Sequence, residues 1–386
     1  MPKVPLSSLE DGEYIQEFVA TPDLGGFTFV AGSSRQFKSD MTGKHKKAAD
    51  NAHVIHNGKL VGSYPDIIPY SLRISEDGKS VSFSVVKWRS WNLPLYWIVH
   101  DGNKIGSAGH YTEEIEFGEL AFPWFSPDGT RVAYLIALKK LRHVMIGDKK
   151  HFSSAAVSLK NPWSSDGKHI AYIVTKGGEQ KLVADGKPVF SAPKLRLLRS
   201  PDVYVATDEN GETLYVENKK CLQAAAFHDI VFSAKGNACA VSAIDEKGGR
   251  RVTLLSGGCS VEKSWEGGSD WKEISGLGIS DNGKKVFFAA LDSGGKTLFT
   301  PLDKGVLQGC GGPVDYQSVT FAADSSAAAW IVNEIGKDIL CVDGKKQGKW
   351  NRIELPLVFG NKGGSLKLFA WSGNSLYKEI LSLNQI

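Results

Sequence analysis

The most frequent polar motif in the 386-residue chain is Ser-x-Asp-Gly, and its carboxylates are the first candidates for chemistry. Asp77, Asp128 and Asp166 stand in Ser75-Glu76-Asp77-Gly78, Ser126-Pro127-Asp128-Gly129 and Ser164-Ser165-Asp166-Gly167. Repeated carboxylates can ligate cations, but one per repeat falls short of the roughly six to eight oxygens that calcium takes. The alternative is turn chemistry, in which Asp accepts nearby backbone N–H groups and Gly takes the positive φ. Turns are therefore expected, with no metal and no cofactor. Ser191-Ala192-Pro193-Lys194 fits Ser-x-x-Lys but has no helix around it and no partner motif after it. His53 and His56, three apart on a strand, point to opposite faces. No G-x-S-x-G elbow, H-E-x-x-H, P-loop or EF-hand loop occurs in the sequence. No residue is assigned a catalytic role.

Binding chemistry is better represented. Lys44, His45, Lys46 and Lys47 follow Arg35 and Lys38 with Asp40 as the acid among them. Trp88, Arg89 and Trp91 lie in Lys87-Trp88-Arg89-Ser90-Trp91-Asn92, and Lys139, Lys140 and Arg142 form a third basic group. Cations beside tryptophans suit an acidic protein segment, a glycan or a nucleic acid strand. The competing reading is a solvated loop beside packed tryptophans. Trp265 and Trp271 frame a Gly-rich stretch with Glu266 and Asp270. That pair fits either sugar stacking or capping of a sheet edge.

These residues need elements to position them, and the chain is a repeat. An apolar strand, a Ser-x-Asp-Gly turn and a second apolar strand are plainest at Phe125-Ser126-Pro127-Asp128-Gly129-Thr130-Arg131-Val132-Ala133-Tyr134. Nine copies recur at a mean spacing of about 42 residues, the period of a four-stranded propeller blade. A third strand follows each pair and often ends in Asn-Gly or Asp-Gly, as at Asn57-Gly58, Asp101-Gly102, Asp185-Gly186 and Asp343-Gly344, a strong hairpin signal. No stretch has sustained 3.6-residue periodicity. The expectation is an all-β chain forming a single closed propeller over residues 1–386. Nine units are counted, with eight blades as the alternative, and the stretch before Glu13 supplies the last outer strand.

With strands a to d running from inside out and Ser-x-Asp-Gly joining a to b, the b–c and d–a connections leave from the opposite end. The extra length lies there: 32–52, 87–94, 107–119 and 261–276. Repeat proteins place insertions on their binding face. The basic and aromatic residues of the first three units are therefore expected to share one loop-rich face.

The Phe-Ser-Pro-Asp-Gly turn with its Val-Ala-Tyr strand resembles the repeats of the TolB-like propellers, which occur also in the propellers of prolyl-oligopeptidase-type peptidases. The resemblance covers essentially the whole chain and implies a WD40-like propeller fold, without the Gly-His and Trp-Asp marks of WD40 repeats. It implies no activity, and no hydrolase motif accompanies it.

Composition agrees with a folded chain: 42% hydrophobic and 23% charged residues, with 42 glycines for many tight turns. A net charge of +4 does not favour nucleic acid. No apolar run reaches the length of a membrane helix, and the first residues lack the apolar core of a signal peptide. The expectation is a cytoplasmic monomer, the alternative a periplasmic or secreted protein whose leader has been removed. Five scattered cysteines, an odd number without C-x-x-C, are expected to be reduced. The function expected is a non-catalytic scaffold that binds another protein, or an anionic or glycan ligand, on the loop-rich face. The alternative is a propeller glycosidase, lyase or cyclase with its site in the central funnel.

Overall fold

The computed structural model describes the chain except residues 1–4, 10–12, 34–51, 89–93, 109–121, 139–140, 161, 200, 234–235, 258, 269, 281, 294–296, 301–313, 323–326, 361–363 and 384–386. Among the described residues every regular element is a strand and none is a helix. The strands form nine sheets, eight of them meanders of strands consecutive in the chain. Sheet one comprises Glu13–Ala20, Phe27–Ser33, Ala52–His56 and Lys59–Tyr64. Sheet two comprises Arg73–Ile74, Val81–Trp88, Pro94–His100 and Asn103–Ala108. Two compact units divide the chain, one of residues 6–191 and 197–201, the other of 1–5, 192–196 and 202–386.

The turn copies share one hydrogen-bond pattern. The backbone N–H that opens the turn donates to the carbonyl five residues on at Thr21, Ser75, Ser126, Ser164, Ser233, Ser280, Ala322 and Gly360, at 2.8–3.0 Å. Where a hydroxyl is present it adds two further bonds. The Ser75 Oγ donates to Asp77 Oδ1 at 2.7 Å and accepts the Ser80 N–H at 3.0 Å, and Ser164 and Ser280 repeat the arrangement with Asp166 and Asn282. The carboxylates are thus occupied by their own turns.

Strand b is the core element. Val81, Phe83 and Val85 are fully buried on one face, joined by Leu72 and Val99 in one cluster. Residues 328–332 of sheet eight are buried at every position, as a strand covered on both faces must be. The inner strand, by contrast, is repeatedly interrupted. Bulges fall between Ile15 and Glu17, Phe227 and Ile230, Ser275 and Gly278, Asp315 and Thr320, and Glu354 and Val358. In sheet two Ile67 bridges Val85 and Arg73 pairs with Ser82, so 68–72 bows out between them. Bulges re-aim side chains and gather near functional sites.

Two expectations are corrected. Residues 261–276 are no loop insertion: Ser260–Gly268 and Trp271–Ile279 are strands joined by a short turn. Trp265 and Trp271 both pack on Phe288, at 5.9 and 5.5 Å between ring centroids, and hold the segment to the core. The cysteines are not all reduced. Cys221, on the outer strand Lys219–Ala224, is disulfide-bonded to Cys259 with Cα atoms 4.7 Å apart, because sequential sheets bring an outer strand beside the next sheet's hairpin. Cys341 is also disulfide-bonded, and Cys239 is a buried free thiol.

Candidate functional site

In the unit of residues 6–191 and 197–201, the Ser-x-Asp-Gly ends of successive sheets converge on a cavity of about 330 Å³. Arg73 and Ile74 come from the inner strand of sheet two and Glu76 from the turn after it. Trp124, Phe125, Ser126 and Pro127 come from the corresponding strand and turn of the third sheet. Pro162 and Trp163 come from the fourth, and Leu198 completes the wall.

A ladder of arginines and aromatic rings crosses this wall. The Arg73 guanidinium lies 5.5 Å from the Phe122 ring centroid and 5.3 Å from that of Trp124. The Trp163 indole N–H donates to the Trp124 carbonyl at 2.9 Å, and the Arg131 guanidinium lies 4.6 Å from the Trp163 ring. Such cation–π contacts are worth about 0.5–2 kcal/mol each, more when dry. Arg131 also donates to the Gly167 carbonyl. The indole N–H of Trp124 itself is buried without an acceptor.

Behind Arg73 stands Glu17. Its two carboxylate oxygens accept the backbone N–H groups of Tyr70 and Leu72, at 2.9 and 3.2 Å, while the Arg73 Nη1 donates to the carbonyls of the same two residues. The bowed segment is therefore clamped from both sides. Tyr70 is held at a φ of +63°, rare for a bulky residue, with 77% of its surface exposed. Burial pushes the Glu17 carboxyl up to about 7, against the lowering effect of the Tyr70 N–H, Arg73 and the Leu72 N–H.

The residues singled out from sequence fall elsewhere. Lys44, His45, Lys46, Lys47, Arg89, Trp91, Lys139 and Lys140 lie outside the described residues. Trp88 ends the strand Val81–Trp88, at the opposite end from the Ser-x-Asp-Gly turn. Arg142 is half-buried and donates to the Val157 carbonyl at 3.2 Å. Trp265 and Trp271 are partly buried against Phe288, and the Lys263 ammonium lies 5.0 Å from the Trp265 ring. His53 meets Ser63 and His56 meets the Lys79 carbonyl, so the two imidazoles have separate partners. No cluster of metal-ligating side chains occurs among the described residues. The cavity escaped the sequence reading because its aromatic residues look like ordinary strand hydrophobes. Arg73 and Arg131, each flanking a turn motif, were the available signal.

No family model matches this chain, and no curated protein does. Among solved structures it is similar to one described as the crystal structure of the eukaryotic initiation factor, at 11% identity and a TM-score of 0.53, over 98% of this chain and 90% of that one. It is also similar to the β-propeller domain of the trilobed protease from Pyrococcus furiosus, at 14% identity and a TM-score of 0.38, over 81% and 94%. A third is TolB from Acinetobacter baumannii, at 13% identity and a TM-score of 0.28, over 87% and 78%. At these identities the first likeness bears on fold alone. Together with the repeated four-stranded meanders and their Ser-x-Asp-Gly turns, it gives the chain an all-β fold of the β-propeller type.

Proposed function

We propose that the chain is a non-catalytic propeller scaffold that docks a partner on the end of sheets one to three carrying the b–c and d–a connections. One observation carries the non-catalytic half. The turn carboxylates of Asp77, Asp128 and Asp166 are engaged by their own serines, and among the described residues the cavity beside them is lined by one carboxylate, Glu76. A glycosidase needs two, about 5 to 9.5 Å apart. The docking half is supported by sequence: Lys44, Lys46, Lys47, Arg89, Lys139 and Lys140 stand beside Trp88 and Trp91 in the connections of three consecutive units. That chemistry suits an acidic segment of another protein, with an anionic glycan as the second choice.

The same reading takes residues 1–386 as one monomeric ring of nine blades, closed between the two chain ends, on the strength of the repeat spacing. No helix among the described residues is long and apolar enough to cross a membrane. The Cys221–Cys259 disulfide favours an oxidising compartment over the cytoplasm.

The test is capture of partners from native extract, then affinity measurement with two variants. Charge reversal of Lys44, Lys46 and Lys47 to Glu is expected to slow association, most at low salt, as rim charges do. Trp88→Ala with Trp91→Ala is expected to speed dissociation. Unchanged binding in both moves the docking site elsewhere.

A further inference from the structure

The cavity between the turns of sheets two to four has apolar walls and unspent hydrogen-bond donors. Arg73 uses Nη1 for the Tyr70 and Leu72 carbonyls; its Nε and Nη2 donate to no acceptor among the described residues. The guanidinium is partly desolvated, and burial pulls its pKa below the ordinary arginine value, with Glu17 opposing. The Trp124 indole N–H is buried and unpaired on the same wall. A hydrogen bond from a charged donor is worth more than one from a neutral donor, so the unused edge of the partly desolvated Arg73 guanidinium favours a ligand that accepts from it. Ile74, Phe125, Pro162 and Leu198 offer the rest of the cavity to apolar matter. At about 330 Å³ the space suits one side chain or a small molecule.

We propose that this cavity is a receptor for a carboxylate carried on an aromatic or branched apolar body. The carboxylate takes the free edge of the Arg73 guanidinium, where two parallel N–H groups match its two oxygens. The body lies against the apolar wall. Two sources share this chemistry, the C-terminal residue of a peptide and a free small carboxylic acid. The site is at the opposite end of the strands from the loop-rich face, and does not depend on that face being a docking surface.

Glu17 sets the charge that the ligand meets. From the segment packed against it, Arg73 is the charged group that acts on it, together with the N–H groups of Tyr70 and Leu72. On its own strand Glu13 faces His53 at 3.8 Å. Glu76, exposed at the rim, and Arg131, engaged by Trp163, complete the charges of the site. When Glu17 is ionised it compensates Arg73; when protonated it leaves the guanidinium in need of an anion. With the Glu17 carboxyl at about 7, binding tightens as pH falls through neutrality. The ligand's own carboxyl, at about 3.5 for a peptide terminus and about 4.3 or a little above for a simple acid, stays ionised throughout.

The test is titration of the full chain with N-acetylphenylalanine, its amide and 3-phenylpropanoate, followed by calorimetry and tryptophan fluorescence at about pH 6 and about pH 8, either side of the Glu17 transition. At least one acid is expected to bind about tenfold or more tighter than the amide, the factor expected for a charge-assisted hydrogen bond. The tighter of the two acids assigns the source, peptide terminus or free acid. Binding is expected to be severalfold tighter at the lower pH. Glu17→Gln, which like the protonated acid carries no charge and keeps an acceptor oxygen for one of the two N–H groups, is expected to bind at the higher pH as the parent does at the lower. Arg73→Met is expected to abolish the preference for acid over amide, with its melting transition checked alongside. Acid and amide binding equally, no binding of either acid, or a pH dependence that survives Glu17→Gln overturns the proposal.

Discussion

The Asp185 carboxylate accepts the backbone N–H of Ile170 at 3.0 Å, fastening the turn between strands c and d of the fourth sheet to the start of strand b. Asp101 does the same for Val81 at 2.7 Å, Asp343 for Ala328 at 2.8 Å, and the Asn57 amide oxygen for Phe27 at 2.9 Å. All four residues sit near φ +48°, in the left-handed region where Asp and Asn are tolerated. The Asp-Gly pair therefore closes a hairpin and also satisfies a donor that strand b would otherwise leave open. Asp185→Ala should lose that acceptor and the local φ preference, costing about 1–3 kcal/mol. Asp185→Asn should cost far less, since Asn57 performs the same task. Chemical denaturation of the two variants checks the contrast.

Adjacent Ser-x-Asp-Gly turns touch through their glycines. A Cβ on Gly129, whose φ is +70°, would lie 2.9 Å from the Ser75 Cβ of the preceding turn. Gly177, at φ +62°, has nothing within 4 Å of such a Cβ. Gly177→Ala should therefore cost only the backbone term, about 1–2 kcal/mol. Gly129→Ala adds a steric clash and should lower the melting temperature more. Equal losses would mean that the turns do not pack on one another.

The Cys221–Cys259 bond closes a separation of 38 residues. On the chain-entropy model this is worth about 4 kcal/mol. Reductant, or Cys221→Ser, should lower the melting temperature by several degrees, and reductant should change nothing further in a Cys221→Ser, Cys259→Ser, Cys341→Ser variant.

Glu17 gives a stability term with a defined sign. Its carboxyl is raised in the folded chain, so its contribution is full below the ordinary carboxylate pKa and is lost as pH rises through about 7. The melting temperature of Glu17→Gln relative to the parent should therefore rise between mildly acidic and mildly alkaline buffer. The turn carboxylates act in the opposite direction. The Ser75 hydroxyl and then the Lys79 N–H hold Asp77 at about 2, and Asp128 and Asp166 are lowered by the equivalent groups. Their contribution is present above the ordinary carboxylate range and is lost as pH falls below it, for Asp77 towards about 2. Asp128→Asn should flatten the acid limb of the stability curve.

Each turn spans six residues and is closed by bonds within itself, so its type was legible in the sequence. The same locality made Asn57-Gly58 and Asp185-Gly186 readable as hairpins, and the alternation of turns and apolar strands readable as a four-strand repeat. What lay beyond that reach depends on residues far apart in the chain. Trp265 and Trp271 bracket glycines that suggest a loop, and only Phe288 packed beneath both rings explains why the segment is strand. Cys221 and Cys259 carry no spacing signal; their pairing follows from an outer strand lying beside the next sheet's hairpin. Glu17 is one acid among many until the bulge beside it and the bow at 68–72 place two N–H groups on its oxygens. Arg73, Trp124 and Trp163 come from three repeats, and the cavity exists only because successive inner strands set those side chains edge to edge. Backbone turns are decided by neighbours in sequence, whereas burial, charge balance and the lining of a pocket are decided by neighbours across sheets.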